Sequence, residues 1–136
     1  MITSVAPFLT LQGGRAKEAA EFWAEIFPDA EVEAMHLYGA GEDQPEGRVR
    51  LAVLRIGITR LRIIDAPQED GFDLSSAMSI FIEVNDAADV DEIAGKLVNE
   101  GQPLVPPGDY PWADRFAWIV DRFGVNWQLI HGTRLG

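Results

Sequence analysis

The sequence predicts an α+β fold: two β-α-β-β-β modules curved into a half-open barrel around a central cavity, with the helices outside. Three observations predict it. Each half holds one stretch of helical period, preceded by one strand-like run and followed by three. Residues recur at a nearly fixed spacing between the halves. The composition, 47% hydrophobic and 24% charged over 136 residues, is that of ordinary globular material.

The elements follow in order. Val5 to Leu11 reads as a strand that ends at Gly13-Gly14. From Arg15 to Phe27 the period changes. Ala16, Ala20, Trp23 and Phe27 share one face and Lys17, Glu18, Glu21 and Glu25 the other, an amphipathic helix stopped by Pro28. Glu31 to Leu37 is a strand, and 39–47 a loop rich in Gly, Glu, Asp and Pro. Arg48 to Ile56 and Thr59 to Asp65 form a hairpin turning near Gly57. Pro67 to Ser76 is the best candidate for a linker.

The second half repeats the order. Ser79 to Val84 is a strand, and Asn85 or Asp86 caps a helix whose apolar stripe is Val90, Ile93, Ala94 and Leu97, with Gly101 as its stop. Pro103 to Pro111 reads as a loop around a short strand at Leu104-Val105. Phe116 to Asp121 and Asn126 to Ile130 are the last strands. Arg48, Arg55 and Gly57 recur 67 positions later as Arg115, Arg122 and Gly124. At an offset of 71, Phe22, Ile26 and Phe27 match Ile93, Leu97 and Val98. The chain is therefore expected to be one domain, 1–136, of two modules, 1–70 and 71–136. Each is too small to bury its sheet alone.

Charge and missing residue types exclude several functions. Eleven basic side chains face 22 acidic ones, a net charge of −11, shared as −5 over residues 1–70 (7 basic, 12 acidic) and −6 over 71–136 (4 and 10). Neither nucleic acid nor an anionic membrane is an expected partner, because both need clustered cations. No apolar run approaches the ~18 residues of a membrane span. Met1-Ile2-Thr3-Ser4 carries no cationic signal segment, so a cytoplasmic protein is expected. There is no Cys, which removes disulfides, zinc–thiolate sites and thiol nucleophiles. His36 and His131 are the only histidines.

Two segments carry a family resemblance. Phe8-Leu9-Thr10-Leu11-Gln12-Gly13 leads into Ala19-Ala20-Glu21-Phe22-Trp23, and Asp121-Arg122-Phe123-Gly124-Val125-Asn126-Trp127-Gln128-Leu129-Ile130 lies on the terminal hairpin. With the repeated module order, the chain resembles the vicinal oxygen chelate superfamily of glyoxalases, ring-cleaving dioxygenases and bleomycin-resistance proteins. Within it, the chain is similar to the PhnB-like group, labelled 3-demethylubiquinone methyltransferase-like. The label meets a physical difficulty. Gln12-Gly13-Gly14-Arg15 is the only candidate for a Gly-rich cofactor turn, and it lacks the third Gly and the acidic partner. Methyl transfer is not expected.

The resemblance implies four inward positions that bind a divalent ion in metal-dependent relatives. They fall on Phe8, on Leu61 or Ile63, on Ser79 and on Gln128. Only Gln128 is a plausible donor, and a neutral amide is weak, so no metal and no other cofactor is expected. Catalytic residues cannot be assigned.

Alternation along the strands gives the expected cavity wall: Phe8, Thr10 and Gln12 on the first strand, Ser79, Phe81 and Glu83 on the fifth, Asn126, Gln128 and Ile130 on the eighth. Their mixed character suits a small-molecule pocket. Glu83 is either a general base or a solvated strand-end carboxylate. Trp127 is read as core and His131 as opposite to Gln128, while Tyr110, Trp112 and Trp118 stay open, with Tyr110-Pro111-Trp112 either folding over the cavity or packing locally. The repeat aligns Thr59, Leu61 and Ile63 inward, which sends Arg60 and Arg62 outward; a slip of one residue reverses this.

The leading expectation is a metal-free small-molecule-binding protein, or an enzyme of unknown reaction; the family resemblance implies a homodimer. The alternatives are a metal-dependent lyase, isomerase or dioxygenase with a displaced site at Gln128, Glu83 and His36, and a non-catalytic dimeric interaction module.

Overall fold

The computed structural model describes residues 1–67 and 73–134. The chain divides into two compact units, Met1–Phe72 and Asp73–Gly136. Half of the linker expected between Pro67 and Ser76 falls at 68–72, outside the described residues; its flanks at 67 and 73–76 hold no strand.

The first unit runs β1 (Phe8–Leu11), α1 (Ala16–Ile26), β2 (Ala30–Leu37), β3 (Val49–Ile56) and β4 (Thr59–Asp65). Its sheet has the order β1-β4-β3-β2, with β1 parallel to β4 and the other pairs antiparallel. One face carries Leu61, Ile63, Ala52 and Leu54, all 1% exposed or less, under α1. The helix answers with Ala16, Ala19, Ala20 and Trp23, each fully buried. Small residues at three of these positions let the backbone come close to the sheet, and Trp23 fills the remaining space. Asp65 joins the two layers. Its carboxylate accepts the Ala16 N–H at 2.9 Å and the Val49 N–H at 2.7 Å. Arg15 at the N-cap makes no side-chain cap of its own, so a strand residue supplies one.

The second unit repeats this with β5 (Ile80–Glu83), α2 (Ala87–Leu97), β6 (Gln102–Tyr110), β7 (Ala113–Val120) and β8 (Asn126–Thr133). The sheet order is β5-β8-β7-β6, with β5 parallel to β8. Asp86 caps α2 by accepting the Ala88 N–H at 2.9 Å, and Val90, Ile93, Ala94 and Leu97 are its buried stripe. They pack on Ala117, Ile119, Trp127 and Leu129, all fully buried. The Trp127 indole donates to Asp121 at 2.8 Å. Asp121 also accepts the Phe123 and Val125 N–H groups, which ties the β7–β8 turn. The two ladders do not join, so the eight strands form two open mixed sheets and not a closed barrel. Among the described residues no helix is long and apolar enough to cross a membrane.

Two expectations need correction. The loop expected over Pro103 to Pro111 is β6, a full edge strand with register shifts around Val105 and Gly108. Proline cannot donate to a ladder, but β6 has a neighbour on one side only, so its prolines are tolerated there. The second correction concerns facing. Leu61 and Ile63 lie under α1, while Arg60, Arg62 and Ile64 share the opposite face with Phe8 and Thr10. The arginines are therefore not on the helix side. Equivalent pairs give the cause: Val53 pairs with Arg62, nine positions on, whereas Val120 pairs with Asn126, six on. A difference of three is odd, and an odd slip inverts the alternation of a strand.

Candidate functional site

In the second unit, the sheet face turned away from α2 is built from β5, β8, β7 and β6. Phe81 lies beside Gln128, which opposes Trp118, and Phe116 opposes Ile130. A cavity of about 570 Å³ lies on this face. Its walls are Phe81, Val105, Trp112, Phe116, Trp118 and Ile130, with Gln128 and Thr133 as polar groups. Alternation puts large apolar residues here because the other face is already filled by α2.

The aromatic wall is organised. Tyr110 and Trp112 stack at 4.9 Å between ring centroids, and Trp112 meets Phe116 edge-on at 5.5 Å. Pro111-Trp112 is the two-residue turn between β6 and β7, so Trp112 is held between the strand ends. The Tyr110 hydroxyl donates to the Pro106 carbonyl at 2.6 Å, which fixes its ring. Trp118 donates through its indole to Asn126 at 2.9 Å. Gln128 donates to the Ser79 hydroxyl at 2.8 Å. Its carbonyl oxygen has no hydrogen-bond partner among the described residues and stays available as an acceptor at the wall.

Of the residues expected on the wall, Phe81, Gln128 and Ile130 line this cavity, and so does Trp112, for whose loop a place over the cavity was one of two alternatives. Ser79 holds the Gln128 amide. Asn126 is 3% exposed and serves Trp118. Glu83 is exposed at the end of β5, and His131 sits on the α2 side with Nδ1 3.0 Å from the Val84 carbonyl. Phe8 and Thr10 lie on the free sheet face of the first unit, and Gln12 follows β1 there. Sequence reasoning missed Val105, Phe116 and Thr133. Alternation along β7 carried the signal for Phe116; Val105 was hidden by the surrounding prolines.

On the first unit's free face, Glu33 accepts two hydrogen bonds from Arg60 and lies 3.7 Å from Arg55. The Arg60 hydrogen bond, with the charges of Arg60 and Arg55, holds the Glu33 carboxyl below its usual range. Reciprocally, the bond to Asp29 raises Arg55 and the bond to Glu33 raises Arg60.

The donor set does not fit a divalent ion. Gln128 and the Ser79 hydroxyl are neutral and bonded to each other, and Phe8, Ile64, Leu61 and Ile63 offer no lone pair. Among the described residues no three His or carboxylate side chains converge as metal ligands would.

Comparison with known proteins assigns the chain. The family model for 3-demethylubiquinone-9 3-methyltransferase matches residues 3–130, nearly the whole length. The chain belongs to this family. The PhnB protein from Bacillus cereus, a solved member of the family, is 28% identical; the match covers 96% of this chain and all of that one, with a TM-score of 0.89. A crystal structure of a protein from Pseudomonas aeruginosa is 25% identical over 95% of this chain and 98% of that one, with a TM-score of 0.80. A glyoxalase/bleomycin resistance protein/dioxygenase domain from a Frankia species has a TM-score of 0.70 at 12% identity, covering all of this chain and 96% of that one. At that identity the likeness speaks for the fold alone. No curated protein matches the chain.

Proposed function

We propose that this protein binds a small, largely apolar molecule against the free sheet face of the unit Asp73–Gly136, without a divalent metal. The observation that carries the reading is the cavity of about 570 Å³, with an aromatic wall and the Gln128 amide as its central polar group. Small-molecule sites have this make-up: an apolar body that supplies affinity and a few polar groups that set orientation.

The family's name does not bring methyl transfer with it. A Rossmann-type cofactor site needs a strand, a Gly-rich turn, a helix and a parallel neighbouring strand. Here the strand after α1 is β2, which lies at the far edge of the sheet and runs antiparallel to β3. We also read the protein as a cytoplasmic homodimer, in keeping with a chain that has no cysteine to protect or oxidise.

The test uses 1-naphthol, a neutral aromatic probe, followed through the intrinsic fluorescence of the tryptophans. Saturable quenching that EDTA leaves unchanged is expected. Trp112→Ala removes one aromatic wall, and stacking of this kind contributes about 0.5–1.5 kcal/mol, so binding is expected to weaken about twofold to tenfold. Quenching that requires an added divalent ion, or that is identical in Trp112→Ala, would overturn the reading.

A further inference from the structure

Nine of the 11 basic side chains lie in ion pairs with carboxylates. The two that do not, among the described residues, are Arg48 and Arg62. Arg48 lies along the backbone of Gly14. Arg62 sits near the middle of β4 on the free face of the first unit's sheet, between Phe8 on β1 and Val53 on β3.

This placement is unusual in two ways. The chain holds 22 acidic residues, so a counter-ion is rarely far from any arginine. The two arginines nearest Arg62 on its face, Arg60 and Arg55, share Glu33 between them, and Asp29 and Glu31 also serve Arg55. Arg62 is half-buried, whereas the side chain of Arg60 is 54% exposed. Of the two sheltered arginines, Arg55, whose side chain is 22% exposed, has three carboxylates, whereas Arg62 has none among the described residues, although shelter raises the cost of an unpaired charge. The second peculiarity is Phe8. It is 56% exposed beside Arg62, an aromatic ring held in water on a sheet face. Two residues along, Thr10 adds a hydroxyl on the same face.

We infer that the face formed by Phe8, Thr10, Val53 and Arg62 is a binding site for a small organic oxyanion. The guanidinium of Arg62 takes the anionic head group through paired N–H donors, as guanidinium groups take carboxylate and phosphonate. Phe8 and Val53 cover the apolar body, and the Thr10 hydroxyl donates to a remaining oxygen. Glu33 excludes a second anion at Arg55 and Arg60, because it already occupies both, so the head group is directed to one position. The site is built from residues of Met1–Phe72 alone.

The experiment is calorimetric titration of the full chain with phenylphosphonate, benzoate and the neutral benzamide. Saturable binding of phenylphosphonate, benzoate or both is expected, and which of them binds identifies the head group. Benzamide should bind at least tenfold more weakly. Arg62→Gln should weaken anion binding at least tenfold, with Arg62→Lys between it and the parent, because an ammonium keeps the charge and loses the paired geometry. Raising the salt concentration should weaken binding. Amide NMR shifts on the unaltered chain give a readout that does not depend on a variant folding: perturbation by the bound anion should centre on Phe8, Thr10 and Arg62. Binding of neither anion, equal binding by Arg62→Gln, or shifts confined to residues 73–134 would each overturn the site. The naphthol response should be the same in Arg62→Gln, so failure here and failure of the apolar cavity are told apart.

Discussion

At Asp65 a single carboxylate closes two backbone ends at once. One oxygen accepts the first free N–H of α1 and the other accepts the first N–H of β3, and the side chain is 1% exposed. Neither N–H has water to turn to if the carboxylate is removed. A buried donor left without a partner costs about 1–3 kcal/mol, so Asp65→Ala is expected to lower stability by about 2–5 kcal/mol, read from urea unfolding. Asp65→Asn keeps one acceptor and should lose about half as much. An Asp65→Ala variant of unchanged stability would mean that the two N–H groups find other partners. Asp121 plays a related part in the second unit, where it accepts two turn N–H groups and the Trp127 indole. The Asp121-to-Trp127 stretch was legible in the sequence as a family signature. The structure supplies its chemistry: the first and last residues of the stretch are hydrogen-bonded to each other, across the turn they enclose.

At the scale of elements, hydrophobic period sufficed wherever one face alone was buried. Both helices, their buried stripes and a cap at Asn85 or Asp86 were readable, because the 3.6 period and the cap chemistry are local, and the structure selects Asp86. β6 was not, since its prolines read as a loop and only its edge position makes them harmless. The facing of β4 was not readable either. It depends on the number of residues in the β3–β4 hairpin, and a repeat spacing taken from β3 and β7 does not carry through a hairpin of different length. The same limit applies to the candidate sites. Phe81 and Gln128 followed from alternation on short, regular strands, whereas Arg62 came to the free face only when the register was seen.

The connection from α2 into β6 illustrates a second element-scale constraint. A Cβ placed on Gly101 would lie 2.3 Å from the Val120 carbonyl oxygen, a backbone atom with no room to yield. Gly95, inside α2, would meet nothing within 4 Å. The two glycines should therefore respond in opposite directions. Gly101→Ala is expected to destabilise by about 1–3 kcal/mol through overpacking. Gly95→Ala is expected to stabilise by about 0.5–1 kcal/mol, because alanine restricts the unfolded chain and favours the helix. Thermal unfolding of the two variants against the parent decides it, and a stabilising Gly101→Ala would contradict the close approach.

For the whole molecule, net charge sets the conditions under which the proposed homodimer can form. Each chain carries −11, spread over both halves, and most of its cations are already occupied within the chain. Two such bodies repel at low salt, and few free cations remain to bridge them. Association must then rest on apolar contact, for which the surface offers exposed side chains such as Ile58 and Met78. Salt distinguishes this from a dimer held by ion pairs. The screening length falls from about 10 Å at 0.1 M to about 3 Å at 1 M, which removes the repulsion while leaving apolar burial intact. Light scattering should therefore show a mass approaching twice that of the chain as salt rises, with a dissociation constant that decreases over the same range. A dimer that loosens with salt would point to charge pairing across the interface, and a monomer at every salt concentration would remove the dimer from the proposed function.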